Sequence, residues 1–317
     1  MRCPRRISLA MMLIIASCNY ADRLHFVIPA GPGGGLDGTA RELGRILKTF
    51  DRYETISYEN MPGGGGGRAL SQYLENRSRY QDAVLVNSTP LIVRSLQGLF
   101  PQSFRNLTPI AGLIADYGIF VVRADDPIST WGQLSTTFKS RPSTVVVGGG
   151  SVRGSLDHIV LALALSSINV NPRRVRYLPY DGGAKAMLAL LSGEVRVLST
   201  GLGETMAFLD TGQVRALAVT AGKRIEVIED VPTLQELGHD VTFANWRGIF
   251  AQPRLPNERK VELIDQFHDL SQTSNWNATL KKRGWVPLNL AGDAFGDYLL
   301  DQENLLRTTL RKLGFID

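Results

Sequence analysis

Near the N-terminus, a short apolar run is followed by a glycine-rich turn and then by a helical pattern. Residues 26–28 are Phe, Val and Ile, a run typical of a buried parallel strand, and residues 29–35 are mostly glycine and proline. Further along, apolar side chains recur at steps of four and three, at Leu36, Ala40, Leu43, Leu47 and Phe50. The pattern predicts a strand, a loop and an amphipathic helix, with Asp37 as the helix N-cap.

This order of elements predicts an anion site at the turn. Free N–H groups and the positive end of a helix dipole face the space above the loop, where a phosphate and a carboxylate fit equally well. Gly33, Gly35 and Gly38 also spell G-x-G-x-x-G, and Glu59 follows 21 residues after Gly38, near the end of the next predicted strand. A NAD-dependent α/β oxidoreductase is therefore an alternative, whereas the missing G-K-[ST] excludes a P-loop.

The alternation of strand, turn and helix repeats along the chain. ETISYEN precedes a helix near residues 68–75, and DAVLVNST precedes a helix that begins near Pro90. A second set follows, in which TVVVGGG, VRYLPY and VRVLSTG each lead into a helical segment. The chain then passes through FANWRGIFAQP, and the remainder is predicted to be helical and to cover the first set. The sequence predicts two α/β lobes with a ligand cleft between them.

The first 21 residues are typical of an export signal. MRCPRR is cationic, ISLAMMLIIAS is apolar but short for a membrane span, and Cys18 follows Ile15, Ala16 and Ser17 as in a bacterial lipobox. We expect export to the periplasm and lipidation at Cys18, with plain cleavage near Ala21 as the alternative. Removal of this segment takes away three arginines, which lowers the formal net charge from +5 to +2. Cys3 is lost with the signal peptide, and Cys18 would be acylated.

Composition and motifs favour a binding protein over a catalyst. No long Lys/Arg run or aromatic-basic pattern supports nucleic acid binding. The histidines are dispersed and lack H-E-x-x-H or cysteine partners, so neither a metal site nor a cofactor is predicted apart from the NAD alternative. No nucleophile with its base and no carboxylate pair emerges, so we do not expect an enzyme. The core must supply the stability, since no internal disulfide is available.

Six segments in order resemble one family of receptors. They are IPAGPGGGLDGTAR, YENMPGGGG, IADYGIFVVRADDP, VVVGGGSVRGSLDH, RYLPYDGGAKAMLALLSGEV, and DVPTLQELG followed by WRGIFAQP. From about residue 24 to its end, the chain resembles the substrate-binding proteins of tripartite tricarboxylate transporters, also called Bug-type extracytoplasmic solute receptors, and especially the citrate-type receptors. The resemblance implies a monomeric receptor that delivers a di- or tricarboxylate to membrane permease subunits. A receptor that signals to a sensor partner is an alternative.

The resemblance also implies a bilobal type II periplasmic-binding-protein fold with a carboxylate held by two strand-to-helix loops. Lobe 1 would comprise residues 22–118 and 246–317, and lobe 2 residues 119–245. Site residues implied for lobe 1 are Pro29, Ala30, Gly31, Gly33, Gly34 and Asp37, flanked by Asn87, Ser88 and Thr89. Those for lobe 2 are Ser151, Gly154, Ser155 and His158, with Tyr180, Thr200 and Gly201 nearby. Ala30 stands where many relatives have an aromatic residue, so the identity of the ligand does not transfer.

Several of these residues have a simpler structural interpretation. Arg153 is the best cationic candidate, because a guanidinium can hold a carboxylate with two parallel hydrogen bonds, but it could also be solvent-exposed. Asp37 is expected to shape the loop and not to touch an anion. Ser151 and Ser155 could serve merely as caps of the following helix, a role that is compatible with ligand binding. His158 could be a neutral helix residue. The sequence leaves two roles undecided in the segment FANWRGIFAQP, where the chain is expected to cross back to the first lobe. Trp246 could belong to the core, and Arg247 could contact the ligand or form an ion pair in the hinge.

Overall fold

The computed structural model describes residues 23–317. The predicted signal peptide and Cys18 lie outside the described residues. None of the helices in the described part is both long and apolar enough to span a membrane.

Three parallel strands, each followed by a helix, form the first half of the sheet. The central strand of the three is β1, with β2 on one side and β3 on the other. The elements are β1 (Arg23–Ile28), α1 (Gly35–Leu47), β2 (Thr55–Asn60), α2 (Gly67–Glu75), β3 (Ala83–Ser88) and α3 (Pro90–Leu96). These agree with the strands and helices that the apolar runs and glycine loops predict. The carboxyl ends of the three strands, and therefore their loops, share one edge of the sheet.

Two long strands connect this half to the rest of the molecule. They are β4 (Thr108–Arg123) and β9 (Ala244–Ala251), which run antiparallel to each other, with β9 also paired to β3. Residues 108–117 of β4 pair with β9, whereas residues 118–123 pair with β7 (Val197–Gly201) and β8 (Val214–Val219). One continuous strand thus belongs to both halves, as a hinge requires.

The second half repeats the parallel pattern, with β5 between β6 and β7. Its elements are α4 (Trp131–Ser140), β5 (Val146–Gly149), α5 (Leu156–Ser167), β6 (Arg176–Pro179), α6 (Gly183–Leu191), β7 (Val197–Gly201), α7 (Leu202–Asp210) and β8 (Val214–Val219). Apolar residues of β4, β7, α6 and α7 form a core that belongs to this half, including Ile119, Val121, Leu198, Met187 and Leu202. The exact residue limits of the two lobes remain a prediction.

The C-terminal region is not entirely helical, which corrects the sequence-based expectation. It contains α8 (Asn257–Ser271), α9 (Ser274–Arg283), β10 (Val286–Ala291) and α10 (Gly292–Leu313), and β10 pairs antiparallel with β4. Val286, Leu288 and Leu290 alternate with more exposed positions, the period of two that is typical of a strand. Six residues between two helices are too few to stand out in a helical surrounding, and pairing with β4 determines their conformation.

The C-terminal helices pack on both halves. Residues of α8 and α9, such as Phe267 and Trp276, share a core with Phe26 of β1 and Leu43 of α1. Beyond the end of α10, the Phe315 ring contacts the ring of His158 on α5, with centroids 5.2 Å apart. The expectation that these helices cover the first half is met by α8 and α9, while the segment after α10 also reaches the second half.

Candidate anion-binding cleft

The loop after β1 has the backbone that the glycine cluster predicts, but its helix cap differs. Gly34, and not Asp37, is the N-cap residue of α1, and Asp37 lies in the first turn of the helix. Its carboxylate accepts the Gly33 N–H at 2.9 Å and pairs with Arg41 at 3.0 Å. Burial acts in the opposite direction, yet hydrogen bonds from Arg41, Gly33 and Asn60 keep the pKa of Asp37 below its usual value. Asp37 therefore stabilises the loop, which is the role expected from the sequence. Its position in the first helical turn, and not at the N-cap, differs from the expectation.

Strand β2 contributes Asn60 to this loop, and Glu59 is directed elsewhere. The Asn60 side chain donates to Ala30 O at 3.1 Å and to Asp37 Oδ1 at 2.9 Å. Glu59 contacts His25 at 3.2 Å and Arg79 at 2.9 Å, on the opposite face of the strand. A ribose-binding acid would have to reach the glycine loop, so the geometry does not favour the dinucleotide alternative.

The end of β3 lies next to β9 and contains three buried polar residues, Asn87, Ser88 and Thr89. Ser88 lies opposite Arg247 of β9 in the ladder, and the Asn87 side chain accepts the Ser88 N–H at 2.9 Å. The Thr89 hydroxyl is buried and has no hydrogen-bond partner. These predicted residues therefore flank the first loop, and one of them has an unused polar atom.

A buried ion pair joins the two crossing strands beneath the loop. Arg247 donates to Asp116, and the two side chains are 3% and 0% exposed. The guanidinium also donates to Gly35 O and Thr39 Oγ1, both at 2.8 Å. The other oxygen of Asp116 accepts the Gly203 N–H at 3.1 Å. Arg247 thus ties the first turn of α1 to the hinge, one of the two roles that the sequence left open, whereas Trp246 is fully buried in the core.

Glu204, in the first turn of α7, meets the N-termini of two other helices. A Cβ added at Gly35 would lie 3.0 Å from Glu204 Oε1 and 2.7 Å from Arg247 Nη2. A Cβ added at Gly183, the first residue of α6, would overlap the same carboxylate. Thr200 Oγ1 donates to Glu204 Oε2 at 2.8 Å, and Gly201 is the N-cap residue of α7. Glycine at positions 35 and 183 is what allows this carboxylate to approach both helices.

Asp157 is a second acid in the second half of this cleft. It is buried in the first turn of α5, where Ser151 Oγ accepts the Asp157 N–H at 2.9 Å. Burial, and after it the negative charge of Glu204, raises the pKa of Asp157 to about 8. Burial also raises the pKa of Glu204, although Arg247 and Thr200 act in the opposite direction. Because Asp116, Asp157 and Glu204 carry like charges when ionised, protonation of Asp157 relieves the repulsion from the other two.

The loops after β5 and β6 are held together by backbone hydrogen bonds. Tyr180 N–H donates to Gly149 O at 2.8 Å, and Gly182 N–H donates to Gly150 O at 3.1 Å. Ser151 O accepts the Tyr177 hydroxyl at 2.6 Å, and the buried Ser155 is the N-cap residue of α5 without a side-chain capping bond. Ser151 therefore acts as a capping group here, the simpler of its two sequence-based interpretations.

The contacts of Arg153 and His158 favour the simpler interpretation of each residue over a ligand contact. Arg153 Nη2 donates to Tyr177 O at 2.7 Å, and Arg153 and His158 both line a cavity of about 540 Å³ beside the C-terminal segment. His158 Nδ1 accepts the Gly154 N–H at 2.9 Å, and its ring stacks on Tyr177 at 4.6 Å. Burial, with the charge of Arg153, lowers the pKa of His158 to about 4. Arg153 is thus an exposed residue, and His158 is a neutral residue of the helix. Both are the simpler interpretations that the sequence allowed.

A cation that the motifs did not indicate lies at the first-half edge of the cleft. A Cβ added at Gly65, in the loop after β2, would lie 2.7 Å from Arg94 Nε, and that loop touches Pro29 through Gly66. Arg94 Nη1 donates to Gln97 Oε1 at 3.0 Å, and Gln97 Nε2 donates to Gly154 O at 2.7 Å across the cleft. Arg94 forms no ion pair within the described part of the chain, and burial lowers its pKa.

The residues that sequence analysis missed are charged groups far apart along the chain. Arg94 and Glu204 lie outside the six segments that resemble the family, whereas Asp116 and Asp157 lie within two of them but were not singled out, and only the tertiary fold brings the four to one cleft. Within residues 23–317, no group of three or more potential metal ligands is present.

Comparisons with known proteins relate the chain to one family. Residues 58–315 match the family described as "Tripartite tricarboxylate transporter family receptor". A UPF0065 protein of Bordetella pertussis is 24% identical over 319 residues, which cover 98% of this chain and 97% of that protein.

Two solved structures from Rhodopseudomonas palustris have the same fold. MatC with bound malate has a TM-score of 0.80 and 21% identity, over 91% of this chain and 99% of that one. Rpa4515 with adipate has a TM-score of 0.81 and 20% identity, over 92% of this chain and 97% of that one. The predicted α/β bilobal type II periplasmic-binding-protein fold is thereby confirmed.

Proposed function

The chain belongs to the tripartite tricarboxylate transporter receptor family, and from this premise we propose that it binds a di- or tricarboxylate, such as citrate, between its two lobes. The family consists of solute-binding receptors, and its members act in the periplasm. We accordingly propose a receptor without catalytic activity. The acids seen in the R. palustris structures, malate and adipate, are both dicarboxylates, which supports this ligand class.

The observation that carries the proposal is the convergence of α1 and α6 on one point. Their first residues, Gly35 and Gly183, both approach the carboxylate of Glu204. N–H groups at a helix N-terminus and the positive end of the dipole stabilise an anion. Helix N-termini that stabilise the Glu204 carboxylate also suit the neighbouring part of this cleft to an acidic ligand.

Arg94 is the cation that would meet a second carboxylate of the ligand. The charge of Arg247 is compensated by Asp116, whereas Arg94 has no acidic partner in the described residues. Gln97 links Arg94 to the β5–α5 loop of the opposite half. A ligand bound at this edge would touch both halves, so that binding favours the closed arrangement.

The proposed site keeps most of the residues implied by the family resemblance. Arg153 and His158 are left out because they line another cavity, and Arg94 and Gln97 are added. The retained residues are Pro29, Ala30, Gly31, Gly33, Gly34, Asn87, Ser88, Thr89, Ser151, Gly154, Ser155, Tyr180, Thr200 and Gly201. Asp37 supports the loop and does not contact the ligand.

Delivery is proposed to follow closure of the lobes on the ligand. The closed form would then dock on the permease subunits of a tripartite tricarboxylate transporter. We propose that the receptor is a monomer held at the membrane through a lipid on Cys18. Micromolar affinity corresponds to about 8 kcal/mol, within reach of a few charge-assisted hydrogen bonds.

Isothermal titration calorimetry on the purified protein tests this function. Carried-over ligand is removed first by unfolding and refolding, and the panel contains citrate, tricarballylate, malate, adipate, terephthalate and NAD. One-to-one binding of at least one acid, with no heat from NAD, is the expected result. Binding of NAD without binding of any acid would support the oxidoreductase alternative instead.

A further inference from the structure

Glu204 does not form the contact that is usual for an acid in the first turn of a helix. Gly201 is the N-cap residue of α7, so Glu204 occupies the third helical position, from which a side chain commonly reaches back to the N-cap N–H. Its Oε2 instead accepts the Thr200 hydroxyl at 2.8 Å, and its Oε1 lies against Gly35 of α1, where an added Cβ would be 3.0 Å away. The side chain is thus directed out of its own helix and into the cleft.

The surroundings of this carboxylate are those of a bound ligand. It accepts a hydrogen bond from the Thr200 hydroxyl, Arg247 Nη2 and its own Oε1 flank the same face of Gly35, and Gly183 places a second helix N-terminus against it. Thr200 and Gly183 belong to the second half, whereas Gly35 belongs to the first. A single side chain therefore makes the contacts across the cleft that a solute carboxylate would make.

We infer that Glu204 is an internal occupant of one carboxylate subsite of the cleft and so determines which acids the receptor accepts. The inference rests on the proposed function, because it takes the cleft to be a carboxylate site. A ligand then has one fewer subsite available than the fold provides. Asp116 is a further acid near this point, and its charge disfavours an additional ligand carboxylate there.

Chemical rescue by acetate tests the inference without knowledge of the natural ligand. Glu204→Ala removes the carboxylate and leaves its donors unpaired, so that free acetate can take its place. We expect the melting temperature of this variant to rise with acetate concentration, by roughly 3 °C or more at saturation, relative to sodium chloride at equal ionic strength. The unchanged protein and Glu75→Ala, which alters an exposed acid at the end of α2, are expected not to respond.

The affinities of Glu204→Ala for citrate and for malate provide a second test. With the subsite vacated, calorimetry is expected to show citrate binding at least about tenfold tighter to Glu204→Ala than to the unchanged protein, with a smaller gain for malate. Unchanged affinities would overturn the inference. Weaker binding would also overturn it, since Glu204 would then contact a donor group of the ligand.

The outcomes separate this inference from the proposed function. If no acid binds the unchanged protein, the proposed function fails, while the acetate response of Glu204→Ala still decides the occupancy of the subsite. A folded variant with no acetate response beyond that of Glu75→Ala would overturn the inference. If Glu204→Ala does not fold, Glu204→Ser replaces it in the same measurement. Failure of both variants to fold at every acetate concentration would count against the inference.

Discussion

Arg247 on β9 and Asp116 on β4 form an ion pair at the hinge, where both strands pass between the halves of the molecule. The same guanidinium holds the carbonyl of Gly35, the first residue of α1, at 2.8 Å. The hinge and the N-terminus of α1, the helix proposed to bind the ligand, are thereby connected through one side chain.

Loss of this arginine is expected to be strongly destabilising. Arg247→Met leaves the buried Asp116 carboxylate without its cation, which should lower the free energy of unfolding by about 3–5 kcal/mol in urea denaturation. Arg224→Met is the matched control, because its ion pair with Glu236 is exposed, and it should cost less than about 1 kcal/mol. Similar losses for the two variants would show that burial adds nothing to the hinge pair.

Asp157 should make the protein less stable as the pH rises. Its pKa is about 8 in the folded state against 3.8 for the ordinary group, so the folded state keeps a proton that the unfolded chain has lost. That stabilisation is complete below about pH 3.8 and is lost as the pH rises through 8. Relative to the unchanged protein, Asp157→Asn is expected to gain about 1–3 kcal/mol in free energy of unfolding between pH 5 and pH 8.

The control for this pH series is Asp240→Asn, which alters an exposed acid. Urea denaturation at pH 5, 6.5 and 8 gives the required free energies. Parallel curves for Asp157→Asn and the unchanged protein would contradict the assignment.

His158 should have the opposite effect at acid pH. Its pKa of about 4, lowered from 6.5 by burial and by Arg153, means that the folded state holds the neutral ring. The resulting stability is present above pH 6.5 and is lost as the pH falls towards 4. His158→Gln should therefore reduce the loss of stability between pH 7 and pH 4 by about 2 kcal/mol. The exposed His268→Gln should leave that loss unchanged, and an equal response of both variants would contradict the account.

Two arginine variants compare the sequence-based and the structure-based proposals for the cation that binds the ligand. Arg94→Ala is expected to weaken carboxylate binding at least about tenfold, because it removes the charge without an acidic partner at the cleft edge. Arg153→Ala should change the affinity less than about twofold, since its side chain is engaged with Tyr177 O beside another cavity. Calorimetry with the tightest-binding acid measures both. A larger effect at Arg153 would return that residue to the site.

The fold could largely be predicted from local patterns. Each apolar run followed by glycines became a strand with a loop and helix behind it, as at β1 and α1. The exception is β10, whose six residues form a strand by pairing with β4 and carry little signal of their own. Asp37 likewise occupies a position compatible with a cap, but the preceding glycines let the helix begin earlier, at Gly35.

The charged part of the site could not be predicted in this way. Asp116 and Arg247 are neighbours only because two strands pair over long range, and Glu204 reaches Gly35 only when the two halves meet. Arg153 lies on the expected loop, yet the direction of its side chain depends on the carbonyl of Tyr177. Spacing along a chain identifies a loop, whereas the side chains that face the ligand depend on tertiary contacts.

The most direct test of the cleft is the carboxylate affinity of two glycine variants of the same helix. A Cβ at Gly35 would meet Arg247 and Glu204, whereas a Cβ at Gly38 would have no neighbour within 4 Å. Gly35→Ala is expected to weaken binding of the tightest acid at least about tenfold, and Gly38→Ala is expected to leave it within about twofold. Equal affinities for the two variants would contradict the placement of the ligand at the N-terminus of α1.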